Sequence, residues 1–395
     1  MKNIRTFFLL LLSLTFVQAI LSQDLDYQKI GDNVAATLVS VEPGEIVFIT
    51  GGEYSLRMME AIATGVLKMG GTPFLNITTD KIQNFLLTDV SEEHFLSFSD
   101  PSIKWLEDVD VLVMIMPYSE DQAKWNALME GLSEVKKKKL EEVGMLQLQA
   151  LMLGKMRVVI FTYPTEEQAK ASGMDMETYT TEYLKGLTAD FEKVRKTGMK
   201  LEEMLVQSKE VHITTPFGTD IRFQTTGRSC WFLDGSTTAA DREKPFMERV
   251  ESVPSGMIYQ TIHEHSASGK LFIPASRCDD LPQVKNLSVT FTDGMMGELK
   301  GEGKDCIEAH FAPYEKEARL LGRLSIGLNT GLQIIEEGAV NFRPGLAAGM
   351  VYLYLGNNAD TGGENSVEGA YYFPVTNATV TIDGVVVVKD GVLQD

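Results

Sequence analysis

The hydrophobic pattern of this 395-residue chain changes period near residue 210, and that change decides what the chain can fold into. Before it, short apolar runs alternate with stretches of helical spacing. Glu45–Thr50 (EIVFIT) and Arg157–Thr162 (RVVIFT) read as buried strands, Thr72–Ile77 as a strand and Val109–Met116 (VDVLVMIM) as a longer one. Tyr54–Met69, one long segment from Glu120 to Leu153, and Thr165–Ser208 read as helices. Strands separated by helices pair in parallel through helical crossovers. Beyond the change the runs are short, alternate apolar with polar residues, and end at Gly, Asp or Asn. They include Val211–Thr214, Asp220–Thr225, Ser288–Phe291, Val351–Leu355 and Ala378–Lys389, the last with Asp383-Gly384 as a hairpin turn. One helix, Ala312–Leu321, is expected to interrupt them. The pattern predicts an α/β N-terminal domain with a parallel sheet and helical crossovers, residues 23–209, then a β-rich (α+β) C-terminal domain, residues 210–395. No internal repeat or low-complexity linker separates the two, so they are expected to pack closely.

Residues 1–22 read as a signal peptide. Lys2 and Arg5 precede Phe7–Leu12, Phe16 and Val17, and small Ala19 closes the run, which places cleavage after Ala19 or Ser22. No cysteine follows where acylation would need one, and no later stretch reaches the roughly 18–20 apolar residues of a membrane span. The expected mature protein is soluble and exported, periplasmic or extracellular. Loss of Lys2 and Arg5 takes the net charge from −19 to −21, which repels phosphate backbones and anionic lipid and argues against nucleic-acid binding. Cys230, Cys278 and Cys306 allow one disulfide at most, with the pairing open.

Few isolated motifs point to chemistry. Gly51-Gly52 lacks the spacing and the lysine of a phosphate loop and reads as a βα turn. Lys136–Lys139 reads as a solvated helix face. His263 and His265 flank Glu264; on a strand both imidazoles would share one face, as a metal site needs, but the HEHSASG setting reads as a solvated turn. His94, His212 and His310 have no partner spacing, and neither a GxSxG elbow nor a thiolate motif is present.

Ordered motifs in the second half carry more. Gly218-Thr219-Asp220-Ile221, Gly227-Arg228, Asp234-Gly235, Val253–Tyr259 (VPSGMIY), Leu321–Asn329 (LGRLSIGLN), Gly349–Gly356 (GMVYLYLG) and Gly362–Ser366 (GGENS) follow one another at a recognisable spacing. In the first half Tyr163-Pro164-Thr165, Gly173-Met174 and Asp190 keep a matching order. The series resembles the thermophilic-type dimetal aminopeptidases, the aminopeptidase T and aminopeptidase S family. That resemblance implies two divalent metals, zinc or cobalt, a metal-bound water that attacks the peptide next to a free amino terminus, and a homodimer. It places the family's metal-ligand positions on Met257, Arg323, Tyr352, Tyr371 and Phe373, with a loop tyrosine falling near Ala359. Met and Phe are not ligands for hard dications, a phenol is a poor one near neutrality, and Arg323 adds a permanent cation. The expectation is a pseudo-enzyme without metal, whose vacated site binds a peptide or small carboxylate or is filled by these side chains, Arg323 pairing with an acid such as Glu368. The alternative is an active leucyl-type aminopeptidase with a relocated dimetal site on His263 and His265, drawing on Glu298, Glu302, Glu336, Glu337, Asp360, Glu364 or Glu368.

Overall fold

In the computed structural model the residues described are 26–97, 108–119, 121–171, 174–276, 284–332 and 344–394; the signal segment, Cys278, Glu336 and Glu337 lie outside them. The first half builds a parallel sheet from β1 (Ile46–Gly52), β2 (Thr72–Thr78), β3 (Val111–Met116) and β4 (Arg157–Thr162) in the order β2-β1-β3-β4. The crossovers are helices, and β1, β3 and β4 are largely buried, whereas the edge strand β2 is exposed or half-buried along its length. Gly51 and Gly52 end β1 as an ordinary turn: a Cβ on Gly52 would lie 2.3 Å from the Tyr118 carbonyl oxygen, so only glycine fits there.

The helix expected from Glu120 to Leu153 is two helices, Gln122–Glu130 and Glu134–Leu153. Ser133 breaks it by capping the second: its Oγ accepts from the Lys136 amide at 3.4 Å. Lys136–Lys139 is not a uniformly solvated face either. Lys136 is buried, and its Nζ donates to the Leu87 and Val90 carbonyls, both at 2.7 Å, closing the end of the helix Asp80–Thr88.

The second half forms two antiparallel sheets. One runs through β5 (Val211–Thr214), β6 (Asp220–Phe223), β10 (Ser268–Ser276), β11 (Val284–Thr292), β12 (Met295–Met296), β13 (Lys300–Glu302), β17 (Thr379–Ile382), β18 (Val385–Lys389) and β19 (Val392–Leu393). The other has the order β16-β15-β14-β9-β7, from β7 (Cys230–Leu233), β9 (Met257–Thr261), β14 (Leu321–Gly327), β15 (Val351–Leu355) and β16 (Tyr371–Val375). Asp383 and Gly384, both at positive φ, make the predicted hairpin between β17 and β18. The expected helix at Ala312–Leu321 is not there. The helix is Lys304–Phe311, and Leu321 already opens β14; Pro313, directly after the C-cap Ala312, has no N–H to donate and cannot continue the helix.

β8 (Val250–Val253) comes from beyond residue 210, yet pairs in parallel with β4 as the fifth strand of the first sheet. Three residues later β9 begins in the second antiparallel sheet. One continuous apolar core accordingly includes Val159 and Phe161 of the parallel sheet, Ile258 and Leu324 of one antiparallel sheet and Val380 of the other. The helix Phe191–Gln207 lies directly on β7, where a Cβ at Gly198 would fall 2.2 Å from the Phe232 ring. Among the described residues no helix is long and apolar enough to cross a membrane.

Two buried ionisable sites stand out. Arg157, fully buried, donates through Nη2 to both Glu45 oxygens at 2.8 and 2.7 Å and through Nη1 to the Val39 and Thr237 carbonyls. Arg242 joins from the second half, reaching Glu45 at 2.7 Å and Asp110 at 2.8 Å. Removing one partner of such a pair leaves an uncompensated buried charge. Glu45→Ala is expected to cost about 3–5 kcal/mol, measured as a lower urea midpoint. In β8, burial and the charges of Asp234 and Asp241 push the Glu251 carboxyl up to about 8, against a hydrogen bond from the Gly235 amide. A raised carboxyl is protonated in the fold where the unfolded chain has already ionised, so stability is lost as pH climbs from about 4.5 to 8. Urea midpoints are expected to fall over that window, and Glu251→Gln to flatten the fall; equal slopes in the two proteins would contradict it.

Candidate functional site

The five-stranded sheet β16-β15-β14-β9-β7 carries the predicted site residues, and its register sorts them onto two faces. Directly paired residues share a face, and so do alternate residues of one strand. Arg323 pairs with Thr261 and Tyr354; Ser325 pairs with Tyr259 and Tyr352; Gly327 pairs with Met257. Tyr354 pairs with Tyr372, Tyr352 with Pro374, and Trp231 with Tyr259. One face therefore presents Met257, Tyr259, Arg323, Ser325, Tyr352, Tyr354 and Tyr372 together. The opposite face turns Ile258, Leu324, Leu353, Tyr371 and Phe373 into the main core.

Met257, Arg323 and Tyr352 thus come together as the sequence implies, and Tyr371 and Phe373 do not join them. Tyr371 packs instead on His310 and Phe373, ring centroids 5.1 Å away in each case. A shift of one residue along β16 puts Tyr372 on the site face. The residues not singled out from sequence, Tyr259, Tyr354, Tyr372 and Ser325, were legible only through strand alternation counted from Arg323 and Tyr352.

Four phenol rings line this face. Tyr352 lies 6.2 Å from Tyr354 and 5.6 Å from Tyr372, and Tyr354 lies 5.7 Å from Tyr259, centroid to centroid. Ser325 Oγ donates to the Tyr354 hydroxyl at 3.3 Å. Burial, together with the neighbouring phenols, pushes the pKa of Tyr352 and of Tyr354 well above the usual tyrosine value. Both stay neutral across the physiological range. Gly345 lies across this face, where a Cβ would approach Met257 Sδ to 3.0 Å and the Tyr352 ring to 3.6 Å.

Arg323 is the cation of the face. Its guanidinium carbon sits 5.8 Å from the Tyr354 ring centroid. Nη1 reaches the Asp360 oxygens at 3.4 and 3.3 Å, long for a charge-assisted hydrogen bond. Nε is buried with no partner. The acid that faces Arg323 is Asp360, not Glu368, and it is exposed rather than internal.

His263 and His265 do not occupy a strand, because Thr261 ends β9 and both lie at the following turn. Their rings face backbone carbonyls: His263 Nε2 is 3.0 Å from Thr226 O, and His265 Nδ1 is 3.2 Å from Asp293 O. Between them, Glu264 is the structural residue. It accepts from Arg228 Nη2 at 2.6 Å, Asn358 Nδ2 at 3.0 Å and the Glu364 amide at 2.7 Å. Burial works against its charge, but the Glu364 amide, Asn358 and Arg228 hold the carboxyl below the usual range. This knot seats the Asn358–Asn365 loop, which carries Asp360 to Arg323.

A divalent metal needs anionic oxygens or imidazoles, and this face offers a thioether, neutral phenols, a guanidinium and one carboxylate already turned to that guanidinium. The residues present do not fit one. Among the described residues no group of three or more His, Cys, Asp or Glu is placed to hold a metal ion.

Residues 114–395 match the family model described as NicX: 2,5-dihydroxypyridine 5,6-dioxygenase. The chain belongs to the NicX family. Its fold is similar to that of wild-type AmpT from Thermus thermophilus, with a TM-score of 0.59 and 15% identity over 95% of this chain and 100% of that one. It is also similar to 2,5-dihydroxypyridine dioxygenase from Pseudomonas putida KT2440, with a TM-score of 0.56 and 14% identity over 94% of this chain and 98% of that one. No curated protein matches the chain in sequence. The aminopeptidase resemblance therefore holds as a likeness of fold, while the matching family model is NicX.

Glu264→Ala would leave Arg228 buried without its main partner and release the loop. The expected loss is about 2–4 kcal/mol by chemical denaturation, with faster amide exchange at Glu364 and Asn365. Unchanged exchange there would show that the loop is held by other contacts.

Proposed function

We propose that this NicX-family chain has exchanged a metal centre for an organic binding site, and that the tyrosine-lined face around Arg323 holds a small carboxylate, free or at the end of a peptide. The observation that carries this reading is the setting of Arg323: a cation on the phenol-lined face whose Nη1 is only loosely held by Asp360, its Nε buried without a partner as in Arg157, Arg242 and Arg249. A carboxylate completes a guanidinium by paired N–H···O bonds. The phenol rings supply walls and hydroxyls, and Asp360 is the anion that a bound carboxylate would displace. Neither hydrolysis nor oxygen insertion at a metal follows from this donor set. Export, read from Met1–Ala19, is part of the same proposal; the disulfide at Cys306 suits an oxidising compartment, and Cys230 is a free thiol.

Two measurements on the purified mature chain test it. After incubation with zinc and cobalt and removal of free ions, metal content is expected to stay far below one ion per chain; about two ions would overturn the reading in favour of a relocated centre. Calorimetric titration with a panel of amino acids, dipeptides and simple carboxylates is expected to find a binder whose affinity falls at least about tenfold in Arg323→Gln. Binding that Arg323→Gln leaves unchanged, or no binding across the panel, would show that these side chains only fill the space.

A further inference from the structure

Away from the sheet, the helices Asp80–Thr88, Gln122–Glu130 and Glu134–Leu153 form an open pocket of about 280 Å³ above a small separate core of Leu87, Phe95 and Leu132. Its walls include Trp125, Met129, Leu140 and Val143, and among the described residues no ionisable side chain lines it. For scale, a dry engineered cavity of roughly 150 Å³ already takes up benzene. Two features distinguish the pocket from loose packing. Gln83 lines it with Oε1 buried and without a hydrogen-bond partner, which is costly unless an N–H or O–H reaches it. Gly144 also lines it, in the interior of the helix Glu134–Leu153, where glycine weakens a helix. Such a glycine usually answers a close neighbour, but a Cβ here would meet nothing within 4 Å. The residue is exposed at the mouth of the pocket, so the missing side chain leaves that mouth open to solvent.

We propose that this pocket is a second binding site, for a neutral ring-sized molecule that is mostly apolar and carries one hydrogen-bond donor. The apolar walls hold the ring, the Trp125 indole offers a flat surface, and the donor meets Gln83 Oε1. A charged ligand would find no counter-ion among the lining residues and would lose its hydration without return.

Indole and 1-methylindole differ by this donor and serve as probes. Calorimetric titration of the full chain is expected to show one indole site, with 1-methylindole about tenfold weaker. Gln83→Leu should bring the two to equal affinity. Gly144→Phe should abolish both without lowering the thermal midpoint, because the new side chain enters open space. Arg323→Gln should leave indole binding intact, which separates this site from the tyrosine-lined face. The proposal is overturned by no heat with indole, by equal affinity of the two probes in the native chain, or by indole binding that survives Gly144→Phe.

Discussion

Arg157 lies at the first position of β4 with its charge taken up inside the protein. Glu45, immediately before β1, meets it with both oxygens, and Asp110, immediately before β3, meets Arg242 and also accepts from the Ile46 amide at 2.7 Å. One network therefore fixes the starting ends of three neighbouring strands. It also reaches Val39 before the sheet and the Thr237–Arg242 segment after it. Ion pairs of this kind add little net stability over an apolar replacement, but they are intolerant of displacement. Here the effect is alignment: residues far apart in sequence are held to one geometry at one edge of the parallel sheet.

The candidate site rests on alignment of a second kind. In an antiparallel sheet a slip of one residue exchanges the two faces. The core face is written clearly, by Ile258, Leu324, Ile326, Val351, Leu353 and Leu355, and burying those side chains leaves Arg323, Ser325, Tyr352 and Tyr354 no choice of direction. The polar face is thus placed by the hydrophobic one. Glu264 and Arg228 then bring the Asn358–Asn365 loop over its end, so that a residue with no catalytic appearance in sequence governs where Asp360 stands.

The parallel strands β1, β3 and β4 were readable because each has an unbroken apolar run bounded by helical spacing; Arg157–Thr162 was placed to the residue. At Ala312–Leu321 the local spacing is helical but Pro313 stops the preceding helix at its cap, and at Ser133 a capping hydroxyl divides a stretch whose spacing is helical throughout. At the site, Met257, Arg323 and Tyr352 were legible from motif order, whereas Tyr371 and Phe373 were not separable from Tyr372 and Pro374. In Ala370–Pro374 every residue but the first and last is aromatic, so that composition carries no period to show which ones face the core. Likewise, spacing alone presented His263 and His265 as a pair, although the carboxylate between them makes the contacts. The pairing of Arg323 with Asp360 depends on a loop whose path no local pattern encodes.

The short passage from Val253 to Met257 has a mechanical meaning. Val253 ends a strand of the parallel sheet and Met257 begins one of the tyrosine-lined sheet, and the residues between are pinned: Asn329 Nδ2 donates to the Ser255 carbonyl at 2.6 Å and to the Gly186 carbonyl at 3.0 Å. Two bodies joined this tightly cannot swing apart like the jaws of a clamp. The ligand proposed for the Arg323 face would therefore have to be admitted without a cleft opening between the two sheets.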